Sequence, residues 1–260
     1  MNEGIVKVHA FKPTQYVVSS YIIELPTRLV VIDFQTNVAD SGNLLNYALS
    51  LNKAIEMGIL THYHFDHWVG VKTFTDAKIP IFALNETVEQ LRGFYVNGGP
   101  NPFQTAAADF LNFVRPISLG SRIIDGVEFS FEKVVGGENP ITLITRLPAF
   151  SVISVGDLVG NQIHAYMPEV TDFKEWLSVL DFFLQKYPYR NILVGHGDPS
   201  APEQIKQTIE YLTYVRDIAN TFKTLDGYRA SILKRYPNFP NTPIINCAFS
   251  GFNCIRGNFS

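Results

Sequence analysis

Residues 61–67 read Thr-His-Tyr-His-Phe-Asp-His and follow directly on the apolar run Ala-Ile-Glu-Met-Gly-Ile-Leu at 54–60. A short apolar run of this kind marks a buried strand, so four metal-capable side chains stand where a strand ends and the chain must turn. The chain has six histidines and three of them are here, which makes chance clustering a poor explanation. Side chains two apart in an extended segment leave the backbone on one side, so His62 and His64 can grip a single ion. Asp66 and His67 follow the turn, point elsewhere and suit a second ion. The purely structural alternative is that Asp66 caps a helix beginning near His67, with the histidines as polar loop residues.

The rest of the chain must supply a scaffold for that strand end. Apolar residues make up 46% and charged residues 17% of 260 residues, the balance of a well-buried globular chain. Strands are expected at 15–24 and 28–33, joined by the Pro26-Thr27 turn, at 54–60 and at 79–84. Asp33 closes the second of these, where a carboxylate orients a neighbouring loop. Helices are expected at 39–51, with Leu44, Leu45, Ala48 and Leu49 on its apolar face, from His67 to about Phe74, and from Asn85 to Gly93. Residues 93–115 mix glycine, proline and aromatics. They read either as a surface connection or as an irregular insert walling a pocket. Strand signals return at 122–135, around an Asp125-Gly126 hairpin turn, and at 141–146, 150–155 and 191–194. Helical patterns occupy 171–187, with Trp176, Leu177, Leu180, Phe183 and Leu184 as the apolar side, then 202–224 and 226–235. Two β-then-α halves, 1–92 and 120–200, suggest a duplicated plan with two sheets face to face.

Two later positions extend the cluster. Val155-Gly156-Asp157 and Val194-Gly195-His196-Gly197-Asp198 each place a ligand-type residue just after an apolar β run and beside glycine, where the backbone can turn close to a ligand. The order His-x-His-x-Asp-His, then Asp157, then His196 resembles the metallo-β-lactamase-fold superfamily of metallohydrolases over roughly residues 15–200. The tract from Gly156 through His164, Trp176 and Gly195-His196-Gly197 is similar to a broad hydrolase-like subgroup of it. The resemblance implies an α/β (α+β) class and a four-layer αβ/βα sandwich of two face-to-face mixed sheets flanked by helices. It implies one domain over 1–260: a core at 15–200, a helical extension at 201–236 and an irregular tail at 237–260. It assigns His62 and His64 to a first divalent metal ion, Asp66, His67 and His196 to a second, and Asp157 as a bridge. Zinc comes first, with iron or manganese as alternatives. A carboxylate bridge can hold two ions about 3.5–4 Å apart, sharing a water whose pKa falls towards neutrality.

One position departs from the family pattern. The loop Gly136-Gly137-Glu138-Asn139-Pro140 carries Glu138 where a third histidine of the first site is usual. Either Glu138 ligates, giving a harder, oxygen-rich site that tilts towards iron or manganese, or the first site is lost. His164 reads either as a proton donor to a leaving group or as a loop histidine. Asp66 stands as a residue orienting the nucleophile, Asp198 as a turn or supporting residue, and Tyr63 and Phe65 as packing beneath the site. The expected activity is a metal-dependent hydrolase directing a metal-bound hydroxide at a small ester-like molecule: lactone, thioester, ester or β-lactam. The alternatives are an iron-dependent redox enzyme of sulfur or oxygen chemistry and a non-catalytic binding module. A net charge of −3 gives no electrostatic footprint for nucleic acid. No charged leader with an apolar core and no run of membrane-spanning length is read, so the expected partner is a small molecule and the expected compartment the cytoplasm. Cys247 and Cys254 read as free thiols. Monomer and homodimer stay equally open.

Overall fold

The apolar residues of Ser20–Glu24 (β2) and Arg28–Ile32 (β3) alternate between two partners. Tyr21, Ile23, Val30 and Ile32 pack with Phe129, Phe131, Leu143 and Leu193, whereas Ile22, Leu29 and Val31 pack with Leu44, Ala48 and Phe74. Successive side chains of a strand point to opposite faces. A sheet made of such strands is therefore covered on both sides: by a second sheet on one face, and by helices on the other. The computed structural model describes residues 6–12, 17–98, 104–167, 170, 172–186, 189–219, 221–222 and 224–240. The two cysteines and residues 241–260 of the expected tail lie outside them.

Among the described residues the first sheet has the order β1-β2-β3-β4-β5-β6. Its other members are Lys7–Phe11 (β1), Ala54–Ile59 (β4), Ile81–Ala83 (β5) and Val114–Pro116 (β6). β1, β2 and β3 pair antiparallel, and β3 through β6 pair parallel. The second sheet, ordered β11-β10-β9-β8-β7, comprises Gly120–Ile124 (β7), Val127–Val135 (β8), Ile141–Leu147 (β9), Val152–Gly160 (β10) and Asn191–His196 (β11). Only β10 and β11 pair parallel in it. Asp125 and Gly126 both have positive φ, 50° and 81°, as the tight β7–β8 turn demands. Helices Val38–Ser50 (α1), Phe65–Trp68 (α2), Val71–Asp76 (α3), Asn85–Leu91 (α4) and Gln104–Leu111 (α5) belong to the first half. Phe173–Lys186 (α6), Glu203–Ala219 (α7) and Leu225–Arg235 (α8) belong to the second. On the outer face of the second sheet Trp176, Leu180 and Phe183 of α6 meet Leu212 and Val215 of α7 and Ile232 of α8. The four-layer sandwich of two mixed sheets is the observed architecture.

Three expectations are corrected. The helix from His67 to Phe74 is two pieces, α2 and α3, separated at Val69-Gly70. A Cβ at Gly70 would lie 2.1 Å from the Phe34 carbonyl oxygen and 2.4 Å from Ser41 Cβ, so the chain is pinched against the first sheet and α1 there. Residues 93–115 are largely regular: a π-turn at Arg92–Val96, then α5 and the edge strand β6. Ala107, Phe110 and Leu111 of α5 are buried, while residues 99–103 lie outside the described part. The glycines and prolines at the start of this stretch mask a helical period that begins only at Gln104. Leu49, placed on the apolar face of α1, is 54% exposed because that face is used up by Leu44, Leu45 and Ala48.

The outer end of the first sheet carries a charged knot. Glu24 receives Lys53 Nζ and His9 Nε2 at 2.7 and 2.8 Å. Its carboxyl is held down at about 2, by Lys53 first and His9 next. A depressed carboxyl contributes stability above its unfolded value and loses it as pH falls through the folded one, here between 4.5 and about 2. Glu24→Gln therefore lowers the melting temperature at neutral pH, and its gap to wild type closes as pH falls through that window. Melts that keep a constant gap across it would show that the charge contributes nothing.

Candidate metal centre

The two sheets are laced together at one end. Ser19 N donates to Gly195 O at 2.7 Å, Tyr21 Oη to Val194 O at 2.7 Å, and Leu143 N to Thr61 O at 2.9 Å. These bonds cross from one sheet to the other and bring the ends of β4, β10 and β11 to one edge. His62 and His64 follow β4, Asp66 and His67 sit in α2, Asp157 lies within β10, and His196 ends β11. The β10–β11 register shifts between Ser154 and Gly156 and again before Gly160. Such a bulge re-aims a side chain, and here it turns Asp157 in among the histidines.

Asp157 is the hub. Its Oδ2 lies 3.4 Å from His62 Nε2, 3.3 Å from His67 Nε2 and 3.3 Å from His196 Nε2. Asp66 Oδ2 lies 3.2 Å from His196 Nε2 and 3.8 Å from His67 Nε2. The ring centroids of His62 and His64 are 4.7 Å apart, and His64 Nδ1 is 3.6 Å from Glu138 Oε1. Two compact donor groups result, His62–His64–Asp157 and Asp66–His67–His196, each with its ligand atoms within 4.8 Å of one another. The six residues assigned to two ions from the sequence are thus brought together, with Asp157 grouped with His62 and His64. Glu138 is buried beside His64 but belongs to neither compact group. His164 lines the same cavity as Glu138, Asp157 and His196. Asp198 is exposed and ion-paired to Lys12, hence a turn residue. Tyr63 is buried with Trp68 beneath the cluster, and Phe65 packs against the same core.

The donor atoms fit a cation. His62 Nε2, His67 Nε2 and both Asp157 oxygens are buried without a hydrogen-bond partner among the described residues, although the distances above are short. Buried polar atoms are nearly always hydrogen-bonded, so a convergent set that is not calls for a cation at its centre. The opposite nitrogens are held. His67 Nδ1 contacts Asp33 Oδ2 at 2.8 Å, and His62 Nδ1 contacts Thr61 Oγ1 at 3.0 Å. Asp33 also accepts from Thr61 N and Thr61 Oγ1 at 2.9 and 2.8 Å. A ring that donates through Nδ1 to a carboxylate presents the Nε2 lone pair to a metal, and such partners raise ligand basicity. A Cβ on Gly195 would fall 1.7 Å from Asp157 Oδ1, so glycine is obligatory behind the hub.

Charge explains the rest. Burial alone depresses a histidine, yet Asp157 and Asp66 outweigh it and hold His196 at about 9 and His67 well above its ordinary range. His62, buried and facing His67, falls to about 4. Burial, then Asp157 and Asp66, push the Glu138 carboxyl up, whereas Asp157 stays ionised because His196 and His67 outweigh its burial. The site therefore demands positive charge, and divalent ions supply it in place of protons.

Thr61, Tyr166 and Tyr211 were not singled out from the sequence. Thr61 joins Asp33 to His62, the Tyr166 ring lies 5.3 Å from His64, and Tyr211 lines the adjoining cavity. Thr61 adjoins the histidine run and was the one within reach of local reasoning; the tyrosines arrive from remote segments. Zinc at about 100 times its dissociation constant stabilises a folded site by about 2.7 kcal/mol, roughly 5–10 °C in melting temperature for a chain of this size. Asp33→Asn, which removes the charge that orients His67, is expected to need about 10–100-fold more zinc for the same rise. Superimposable zinc titrations of the two proteins would remove Asp33 from the site.

Comparison with known proteins agrees with this architecture. The sequence model of the metallo-beta-lactamase superfamily matches residues 13–197. An (R)-specific secondary-alkylsulfatase of a Pseudomonas species is 27% identical over 208 residues, 64% of this chain and 31% of the relative. An alkyl/aryl-sulfatase of Saccharomyces cerevisiae is 24% identical over 201 residues, 62% of this chain and again 31% of the relative. This chain thus spans about a third of the length of the curated relatives it matches. Among solved structures, a metallo-beta-lactamase from Pontibacter korlensis superimposes with a TM-score of 0.60 at 19% identity, covering 82% of this chain and 96% of that one. One from Hirschia baltica gives 0.59 at 17%, covering 81% and 97%. With the family match running from before β2 to the Gly195-His196-Gly197 end of β11, the chain belongs to the metallo-β-lactamase superfamily.

Proposed function

We propose that this chain is a metal-dependent hydrolase acting on a small ester-like substrate and holding two divalent ions, zinc in the first instance. The observation that carries the reading is the meeting of two donor groups on one buried carboxylate, Asp157, at the wall of a cavity that His164, Trp176 and Tyr211 also line. His62, His64 and Asp157, with Glu138 beside them, would hold one ion. Asp66, His67 and His196 would hold the other, with Asp157 shared. Bound ions of this kind polarise a carbonyl, phosphoryl or similar oxygen and make water nucleophilic near neutral pH.

The chain's own residues do the remaining work. Asp66 is the carboxylate of the second group nearest His196 and is suited to accept a proton from water and aim it at the substrate. Burial opposes its ionisation, but His67 and His196 hold it below the usual carboxylate range, so it stays an acceptor. Val159, Ile163 and Trp176 line the cavity and exclude water from the reacting centre. His164 is buried and held at about 4 by that burial, so at neutral pH it takes part as an uncharged hydrogen-bonding imidazole. The reacting group remains a lactone, thioester, carboxylic ester or β-lactam, and the names of the sulfatase relatives add a sulfate ester.

A second reading rests on Glu138. A carboxylate 3.6 Å from His64 makes the first site richer in oxygen, which favours iron or manganese relative to a three-histidine site and admits redox chemistry. Elemental analysis of protein purified without added metal separates the readings. Close to two equivalents of zinc, falling by about one in Glu138→Ala, supports the binuclear hydrolase with Glu138 as ligand; iron in place of zinc supports the redox alternative. Little metal in either protein, with none gained on reconstitution, would leave a binding module. Asp157→Ala, which removes the shared ligand, is expected to reduce metal-dependent turnover of p-nitrophenyl esters to background. Full activity in that variant would falsify the two-ion mechanism.

A further inference from the structure

The cavity beside the metal centre also has walls away from the two donor groups. Its far wall is built from α7 and the segment after β10. Gln204 Nε2 and Thr208 Oγ1 both donate to Gly160 O, at 2.8 and 3.2 Å, fastening α7 to the strand that carries Asp157. Tyr211, one turn on, faces His164 with its hydroxyl 3.1 Å from Nδ1. The Phe239 ring closes over both, 5.6 Å from His164 and 5.8 Å from Tyr211 between centroids.

One unpartnered atom of this lining belongs to neither donor group. His164 is 1% exposed, and its Nε2 is buried with no hydrogen-bond partner among the described residues. The direction of its capacity follows from its neighbours. His164 Nδ1 is the acceptor within reach of the Tyr211 hydroxyl, and a buried hydroxyl hydrogen left without an acceptor is costly, so the Tyr211 hydrogen is best used on His164 Nδ1. An uncharged imidazole that accepts at Nδ1 carries its proton on Nε2. The unused atom is therefore a donor. A buried donor left unmade costs about 1–3 kcal/mol, which a bound acceptor would relieve. Charge restricts that acceptor further. Among the described residues the cavity wall includes no lysine or arginine, and its ionisable members besides the histidines are the carboxylates Glu138 and Asp157 and the hydroxyl of tyrosines. An anionic group at the far end would be desolvated with no lysine or arginine beside it, a cost far above that of a neutral oxygen.

We infer that this far end is the binding compartment for the non-reacting body of the substrate, that the body is uncharged and carries a hydrogen-bond-acceptor oxygen, and that His164 is the specificity-determining residue that reads it through Nε2–H. The inference rests on the hydrolytic reading only for the group that reacts at the metals. The compartment selects for a small body, since His164, Tyr211 and Phe239 close around it.

Three non-hydrolysable ketones of one shape separate the possibilities: phenylacetone, its para-carboxamide and its para-carboxylate. Calorimetric titration into the protein as purified is expected to show the carboxamide binding at least about tenfold tighter than the carboxylate, because the charge is buried uncompensated. His164→Ala should weaken the carboxamide roughly 3–10-fold, the worth of one net hydrogen bond, and leave phenylacetone within about twofold. Tyr211→Phe, which removes a single hydroxyl and spares the packing, should weaken the carboxamide in the same sense. It serves where His164→Ala fails to fold. Equal binding of carboxylate and carboxamide overturns the uncharged body. Unchanged carboxamide affinity in a folded His164→Ala, or in Tyr211→Phe if that is the variant available, overturns the anchor, and no binding of any of the three overturns the compartment. Chelator-sensitive cleavage of p-nitrophenyl acetate by the same preparation reports on the hydrolase alone. The expected ketone pattern without such cleavage upholds the compartment and removes the hydrolytic reading.

Discussion

A buried carboxylate without a hydrogen bond is the constraint on which the rest of this structure depends. Asp157 sits 4% exposed among three imidazoles, and among the described residues neither oxygen has a hydrogen-bond partner. An isolated ionised carboxylate in such surroundings is among the most expensive groups a fold can contain. Its neighbours show how the cost is met. His62, His67 and His196 turn their Nε2 atoms towards it, and Gly195 leaves the space behind it open. Replacing any of these disturbs a balance of charge, not merely a contact.

Holding that balance requires the two sheets to meet in a fixed register at one edge. Cross-sheet bonds from Ser19, Tyr21 and Leu143 do so within a few residues of the ligands. Asp33 extends the grip. Its φ of 58° places it in the left-handed region, a strain of about 1–3 kcal/mol for a residue other than glycine. The return is a single carboxylate that orders the Thr61 backbone, the Thr61 hydroxyl and the His67 ring together. The pinch at Gly70 against Phe34 and Ser41 works to the same end, since it fixes where α2 stops and hence where His67 points.

The second half of the chain adds the cavity. Helices α6 and α7 cover the outer face of the second sheet with Trp176, Leu180, Leu212 and Val215, and the polar side of α7 is bonded to Gly160. The same helix thereby buries a core and lines a pocket. The donor cluster and the cavity beside it share the strand β10, so the position of one sets the position of the other.

The histidine run, the two glycine-flanked strand ends and the apolar periodicities are local properties of the chain. From them the candidate ligands and two βα halves with sheets face to face could be read, because strand and helix periods of burial are written directly in the residues; the four-layer sandwich was what the superfamily resemblance implied. Asp33 was legible for the same reason, as a carboxylate at a strand end. The helix at Gln104–Leu111 was hidden by the glycines and prolines before it, and the break at Gly70 follows from a close approach to Phe34, 36 residues away, that no local pattern encodes. The partnering of Glu138 with His64, and of His164 with Tyr211, 47 residues on, likewise exists only once the sheets and α7 have packed. Which side chains can carry the chemistry is thus a matter of composition and spacing. Which of them share a site, and what that site will admit, is decided by tertiary packing, because burial and charge neighbours arise between segments the sequence keeps apart.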